Sequence, residues 1–231
     1  PVITNTEAWN GSAWAEVNDL NTARRTLAGS GTATAAIASG GDTSPTIVAN
    51  TELWNGSIWS NEMRMNTAVN QLAGSGSSTA ALAFGGNTPP ITALTQEFNA
   101  GVSVGAWVTE ATLNTARKQI SAAGSSNTSA LAFGGQTTTT VALTEAYNGT
   151  AWAEVNDMNT TRKGSAGGAG TATAALSFSG QISDTPNNVG VQTEIWNGYT
   201  WTEVNDMNTA RRGLGSSGVT NTSCMAFGGL N

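Results

Sequence analysis

The sequence predicts an all-β chain: a five-bladed β-propeller of four-stranded antiparallel blades. Three observations carry this expectation. The stretch "TEAWNGSAWAEVNDLNTARR" at residues 6–25 returns almost unchanged as "TEIWNGYTWTEVNDMNTARR" at 193–212. A tryptophan recurs at Trp14, Trp59, Trp107, Trp152 and Trp201, in steps of 45, 48, 45 and 49 residues. Each unit reads as four short strands, and almost nothing reads as helix. Four-stranded units repeated at this period are the mark of a propeller.

Each unit begins at a first aromatic (Trp9, Trp54, Phe98, Tyr147 or Trp196) preceded by a carboxylate (Glu7, Glu52, Glu97, Glu145 or Glu194). "TELWNGSIWS" (51–60) reads as two strands around Asn55-Gly56. Asn-Gly is a strong hairpin signal, because a tight two-residue turn asks both residues for φ > 0. The second aromatic opens a strand and an exit turn, as in "AEVNDMNTTR" (153–162). A thin strand of small residues follows: "LAGSG" (27–31), "LAGSGSS" (72–78), "SAAGSS" (121–126), "SAGGAG" (165–170) and "LGSSG" (214–218). Gly and Ala are poor strand formers. Their concentration needs a packing reason, and five strands converging on a narrow axis supply one. The last strand alternates, as in "TAALAFGG" (79–86), with Ala80, Leu82 and Phe84 on one face. It ends at Gly40-Gly41, Gly85-Gly86, Gly134-Gly135, Ser179-Gly180 or Gly228-Gly229.

The segments "ALAFGG", "AYNGTAW" and "MNTTR" resemble the kelch repeat, whose landmarks are an apolar strand ending in Gly-Gly, a spaced aromatic pair and a Met-x-x-x-Arg turn. The resemblance spans the chain and implies blades with strands a to d running outward from the axis. Motifs of the "WNG..W" and "NTAR" kind are also similar to repeats in bacteriophage virion proteins, which implies a virion or extracellular setting. The chain starts just before a strand c and stops just after a strand b. The N-terminal strands c and d are therefore expected to pair with the C-terminal strands a and b. This closes one domain over 1–231, with units near 1–41, 42–86, 87–135, 136–180 and 181–231. "LN" followed by "PVITN" copies the loop "NTPPITALT" (87–95), as such a closure requires.

Composition narrows the function. Charged residues make up 10% of the chain and the formal net charge is −6. This balance lacks the basic footprint of nucleic-acid binding and any polybasic run for anionic lipid. There is no run of 18 apolar residues and no visible signal peptide, which points to a soluble chain or mature fragment without membrane insertion. There is no histidine, so Ser-His-Asp triads and Cys/His zinc sites are excluded. The single cysteine, Cys224, stands where sister segments have alanine and reads as a small hydrophobe. No metal, cofactor or enzyme activity is expected; the kelch-type copper oxidases use His and a Cys-linked Tyr, and this chain lacks both.

The candidate residues recur blade by blade. Glu16, Glu62, Glu110, Glu154 and Glu203 follow the second aromatic. Carboxylates repeated in every blade suit scaffold rather than a single catalytic pair. The turn arginines Arg24, Arg117, Arg162 and Arg211 can bridge the first carboxylates and backbone carbonyls, and the kelch resemblance implies this intra-blade role. Val69 breaks the pattern, with Arg64 as the candidate substitute. The next position is basic at Arg25, Lys118, Lys163 and Arg212, with Asn70 the exception. These four are the candidate ligand donors, on the same face as the variable b–c loops 42–50, 87–95, 136–143 and 181–192. The aromatic pairs read as core between blades. The sequons at Asn10, Asn55 and Asn148 are explained by the turns. "NAGVSVGA" (99–106) is an insertion at the opposite face.

The resulting expectation is a non-catalytic binding or adhesion module that takes a glycan or protein on its loops. The alternative is a structural spacer or decoration packed against other subunits.

Overall fold

The computed structural model describes residues 2–101, 105–164 and 167–230. It is all-β, with no helix among the described residues. The strands are β1 (Thr6–Trp9), β2 (Trp14–Val17), β3 (Ala28–Thr32), β4 (Ala35–Ser39), β5 (Thr51–Trp54), β6 (Trp59–Glu62), β7 (Ala73–Gly76), β8 (Ala80–Phe84), β9 (Thr95–Asn99) and β10 (Ala106–Glu110). They continue as β11 (Ser121–Ser126), β12 (Ser129–Phe133), β13 (Thr144–Tyr147), β14 (Trp152–Val155), β15 (Gly167–Thr171), β16 (Ala174–Phe178), β17 (Thr193–Trp196), β18 (Trp201–Val204), β19 (Gly215–Thr220) and β20 (Ser223–Phe227). Four antiparallel sheets have four strands each, β3–β6, β7–β10, β11–β14 and β15–β18, and two pairs, β1–β2 and β19–β20, stand as two-stranded sheets. The inner strands β3, β7, β11, β15 and β19 line one cavity of about 370 Å³. The small-residue segments therefore do converge, as their composition requires.

The hairpin tips differ from the expected turn. Gly11, Gly56, Gly149 and Gly198 have φ between 93° and 101°, whereas Asn10, Asn55, Asn148 and Asn197 do not enter the left-handed region. Each asparagine acts through its side chain instead: Asn55 Oδ1 accepts from Ser57 N at 2.9 Å and Ile58 N at 3.0 Å. Asn-Gly predicts the hairpin correctly, but the mechanism is an Asx turn in a longer connection.

The core lies between neighbouring sheets. Ile37, Val69, Leu72, Phe98 and Trp107 form one buried cluster, and Leu82, Phe84, Ile120, Tyr147 and Trp152 form the next. Four of the five second tryptophans also reach back to the preceding sheet. Nε1 of Trp59, Trp107, Trp152 and Trp201 donates to Oγ1 of Thr6, Thr51, Thr95 and Thr144 at 3.0–3.1 Å. The Gly-Gly turn reaches forward: Gly41, Gly86, Gly135 and Gly180 N–H groups donate to the carbonyls of Val69, Arg117, Arg162 and Arg211. At Gly41, φ is +100° and a Cβ would come within 2.6 Å of the Arg25 carbonyl, so the tie needs glycine.

Within three of the four full sheets a buried ion pair holds the entry turn. Arg24 bonds Glu52 at 2.7 Å and the Ala38 carbonyl at 3.1 Å. Arg117 bonds Glu145 at 2.8 Å and the carbonyls of Gly134 and Leu143. Arg162 bonds Glu194 at 2.7 Å and the carbonyls of Ser179 and Gln192. All six side chains are at most 1% exposed. Burial pulls the three guanidinium groups below their ordinary value, against the opposing pull of their carboxylates.

Two assignments from sequence need correction. In the sheet that has Val69, the residue aligned with Glu52 is Gln96, not Glu97. Gln96 is 1% exposed and binds Thr67 N and O at 3.0 and 3.2 Å. Glu97 instead accepts from Asn127 at 2.6 Å. The cation and the carboxylate are thus replaced together, and no buried charge is left alone. Arg64 does not substitute for the missing arginine; it bonds Asn50 at 3.1 Å on the surface.

The expected pairing of residues 1–20 with the C-terminal strands is not formed. β1 pairs only with β2, and β20 only with β19. Glu7 is exposed, and Arg211 bonds the Gly228 carbonyl at 3.0 Å with no carboxylate among the described residues. Trp14 packs on Phe227, with ring centroids 5.5 Å apart. The two hairpins therefore meet through side chains across a seam. The inter-sheet ties dock β1–β2 on the β3–β6 sheet and β19–β20 on the β15–β18 sheet, and at this one joint no such hydrogen bond forms among the described residues.

The natural Val69–Gln96 replacement predicts how the ion pairs respond to mutation. Arg117→Val or Glu145→Gln alone strands a buried charge and should cost about 3–5 kcal/mol in urea unfolding. The double variant should cost less than either single one. A double-mutant loss equal to the sum of the singles would show the pair to be uncoupled.

Candidate functional site

The d–a turns and b–c loops meet at one end of the sheets, where short backbone bridges fix their register. Arg25 pairs with Asp42, Asn70 with Asn87, Lys118 with Gln136, Lys163 with Gln181 and Arg212 with Leu230. The residue after each basic position is left-handed: Thr26, Gln71, Gln119, Gly164 and Gly213 have φ of 54°, 55°, 54°, 74° and 62°. This turns each chain inward to the axis. Neighbouring turns then bond around it, with Gln71 N donating to Thr26 O, Gln119 N to Gln71 O and Gly213 N to Gly164 O at 2.8–2.9 Å. The result is a recess of about 330 Å³, lined by Thr26, Gln71, Gln119, Gln181, Arg212 and Leu230 among others.

All four basic residues named from the sequence lie at this end, in different states. Arg25 is paired with Asp42 at 2.9 Å while its side chain stays 61% exposed. Asp42 also accepts from Thr26 at 2.8 Å and Asn70 at 3.1 Å. Burial alone would raise the Asp42 pKa, but the bonds from Asn70, Thr26 and Arg25 outweigh it and hold the carboxyl below its usual value. Lys163 is buried and paired with Asp184. Arg212 donates to Gln181 Oε1 at 3.3 Å and Asn187 Oδ1 at 2.9 Å. Lys118 is half-buried and makes no ion pair among the described residues. Two buried polar atoms of the recess lack a protein partner, Arg212 Nε and Gln71 Oε1.

Asp184 is the group the sequence did not single out. Besides Lys163, it receives Gln136 Nε2 at 3.1 Å, Thr140 N at 3.1 Å and Thr140 Oγ1 at 2.9 Å. It latches the long loop 181–192 to the loop 136–143. The lysine and threonine bonds lower its pKa to about 2. Its variable loop was visible in the sequence; its contacts, 44 and 48 residues away, were not. Gln71 and Gln119, which reach the recess, follow the basic position directly and could have been marked by that adjacency.

The remaining candidates lie elsewhere. Glu16, Glu154 and Glu203 are exposed on outer strands, and Glu62 and Glu110 are half-buried there. Cys224 is half-buried, and burial pushes its thiol pKa up, which suits an inert side chain. Residues 102–104 of the insertion 99–106, and residues 165 and 166 of the fourth inner segment, lie outside the described residues. The axial cavity is lined by Gly, Ala, Ser and Thr, with no titratable side chain. Among the described residues no group of three or more His, Cys, Asp or Glu could hold a metal ion, and no helix is long and apolar enough to cross a membrane.

These features define the class, an all-β protein of repeated four-stranded antiparallel sheets with its polar loops gathered at one end of the axis. No family model matches the chain, and no curated protein matches it.

The latch has a defined pH dependence. A carboxyl whose pKa is lowered in the folded state contributes above its ordinary value of 3.8 and loses that contribution as pH falls through about 2. Acid titration followed by NMR should shift the Thr140 amide with a midpoint near 2, and Asp184→Asn should abolish the transition. A midpoint near 3.8 would mean that Lys163 and Thr140 do not hold the carboxylate in solution.

Proposed function

We propose that the chain is a kelch-like, five-bladed β-propeller that acts as a non-catalytic binding module, taking a glycan or protein group in the recess at the loop end of its axis. One observation carries the binding role. Arg212 Nε and Gln71 Oε1 are a donor and an acceptor, both buried beside the same recess and without protein partners. Unpaired buried polar atoms are costly, and a ligand hydroxyl or amide that draws either side chain into the recess would offset that cost. Lys118 supplies a further cation at the same end, while Arg25 and Lys163 hold the loops through Asp42 and Asp184. The absence of histidine from the sequence favours recognition over catalysis.

Ring closure belongs to the same proposal. In the register of the β12–β13 pair, β1 would meet β20 with Thr6 opposite Phe227, Glu7 opposite Ala226, Ala8 opposite Met225 and Trp9 opposite Cys224. Closure would bring Glu7 to Arg211, the one turn arginine without a carboxylate among the described residues. A structural role is the second reading, and the seam favours it. Trp9, Trp14 and Met225 are 37%, 47% and 48% exposed around a largely apolar cavity of about 350 Å³, a surface that another protein subunit could cover.

Two experiments separate these readings. With Cys224 changed to Ala, the pair Ala8→Cys and Met225→Cys should form an intramolecular disulfide on mild oxidation, because paired strands place Cα atoms within bonding range. Only intermolecular disulfides, or none, would reject closure within one chain. For binding, a glycan-array hit on the parent chain should be re-measured by calorimetry with Arg212→Ser and Gln71→Leu. Each should weaken it about tenfold, as expected for loss of a hydrogen bond involving a charged or buried group. Unchanged affinity in both variants would remove the recess as the site.

A further inference from the structure

We propose a second binding site, for a neutral pyranose sugar, on the outer rim beside Tyr199; it stands independently of the axial recess. Tyr199 is 78% exposed, the highest value among the exposed large hydrophobic residues of the described chain. It occupies the tip between β17 and β18, where sister hairpins carry Ser12, Ser57 and Thr150. The turn itself does not need the ring. Asn197 Oδ1 accepts from Tyr199 N and Thr200 N at 2.9 Å, just as Asn55 does at the serine-bearing tip. The phenol is therefore an addition to a shared scaffold.

Tyr199 lines a shallow recess of about 400 Å³ together with Glu154, Val155, Asn156, Trp196 and Gly198. Asn156 Nδ2 donates to the Tyr199 carbonyl at 2.7 Å and so fixes the amide beside the tip. The equivalent Asn18–Ser57 bond, also 2.7 Å, makes the same link at another joint without an aromatic. Asn156 Oδ1 has no hydrogen-bond partner among the described residues and can accept from a ligand. Glu154 is exposed and in no ion pair among the described residues.

An exposed aromatic plane beside a carboxylate and an amide matches the two-sided chemistry of a sugar. The electron-rich ring face attracts the polarised C–H groups of a pyranose, while the carboxylate and amide accept from its hydroxyls. Charge selects among sugars. The recess carries Glu154 and no cation, and the chain has a net charge of −6. Sulfated or carboxylated sugars are thus repelled and neutral ones are not.

The test titrates the full chain, by NMR, with the methyl glycosides of glucose, galactose, mannose and N-acetylglucosamine, and with 6-sulfated N-acetylglucosamine as the anionic arm. At least one neutral glycoside should shift the Tyr199 ring and Asn156 amide signals, with a Kd of about 1–10 mM, the range of a weak single-sugar contact. Tyr199→Ser restores the residue that sister hairpins carry, so the fold should persist, and binding should fall about tenfold or more. Glu154→Gln should weaken it several-fold with little dependence on salt. Arg212→Ser should leave it unchanged, which separates this site from the axial one. The proposal is overturned if no neutral glycoside shifts these signals below about 50 mM, if Tyr199→Ser binds as well as the parent, or if only the sulfated sugar binds.

Discussion

The buried arginine–glutamate pair is the interaction on which the rest of the structure depends. Arg117 sits in the turn entering its sheet, and Glu145 sits on the third strand. Their contact at 2.8 Å, with carbonyls from the loop between, fastens turn, second strand and third strand to one point. Glu145 then captures Asn114, whose side chain reaches the Trp152 carbonyl at 3.1 Å on the fourth strand. One ionic contact thus ties the entry turn to the second, third and fourth strands. Two buried charges gain little over a well-packed neutral pair, so geometry is the better account of their recurrence. The sheet with Val69 and Gln96 shows that a neutral solution exists, and that both members must change together.

The joints between sheets follow from this internal order. Once each sheet has a fixed entry turn, its Gly-Gly N–H and its tryptophan Nε1 fall opposite acceptors on the neighbours. Packing adds the apolar term, with Phe133 against Trp201 at 5.0 Å and Phe84 against Trp152 at 4.8 Å. The seam is the contrary case. There the arginine lacks its carboxylate, the tryptophans are exposed, and the remaining contact is ring against ring. The comparison indicates that the polar tie and the aromatic burial form or fail together.

The loop end and the rim depart from the repeated frame in two ways. At the loop end, variation in the b–c segments places Asp42 and Asp184 where they tie down cations that recur in the repeat. The rim differs by a single side chain, Tyr199, on a turn that otherwise matches its sisters. Both leave the arginine–glutamate frame untouched, as expected when variation sits on connections and stability sits in the sheets.

The sequence by itself determined the all-β class, the period of the repeats, the small-residue inner strands and the recurring arginine, because each follows from local periodicity or from a demand repeated along the chain. It also located the basic positions and the variable loops. It misplaced one carboxylate, taking Glu97 for Gln96: Thr95-Gln96-Glu97-Phe98 keeps the length of Thr51-Glu52-Leu53-Trp54, so the position two before the aromatic is Gln96, as the strand register also has it, and the glutamate beside it belongs to the opposite face of the strand. It misread the Asn-Gly tips, since the dipeptide does not say how many residues the turn spans. It could not pair Asp184 with Lys163 and Thr140, or decide whether β1 meets β20. Those outcomes depend on contacts between distant segments, and such contacts are set by how the sheets pack around the axis rather than by any neighbour in the chain.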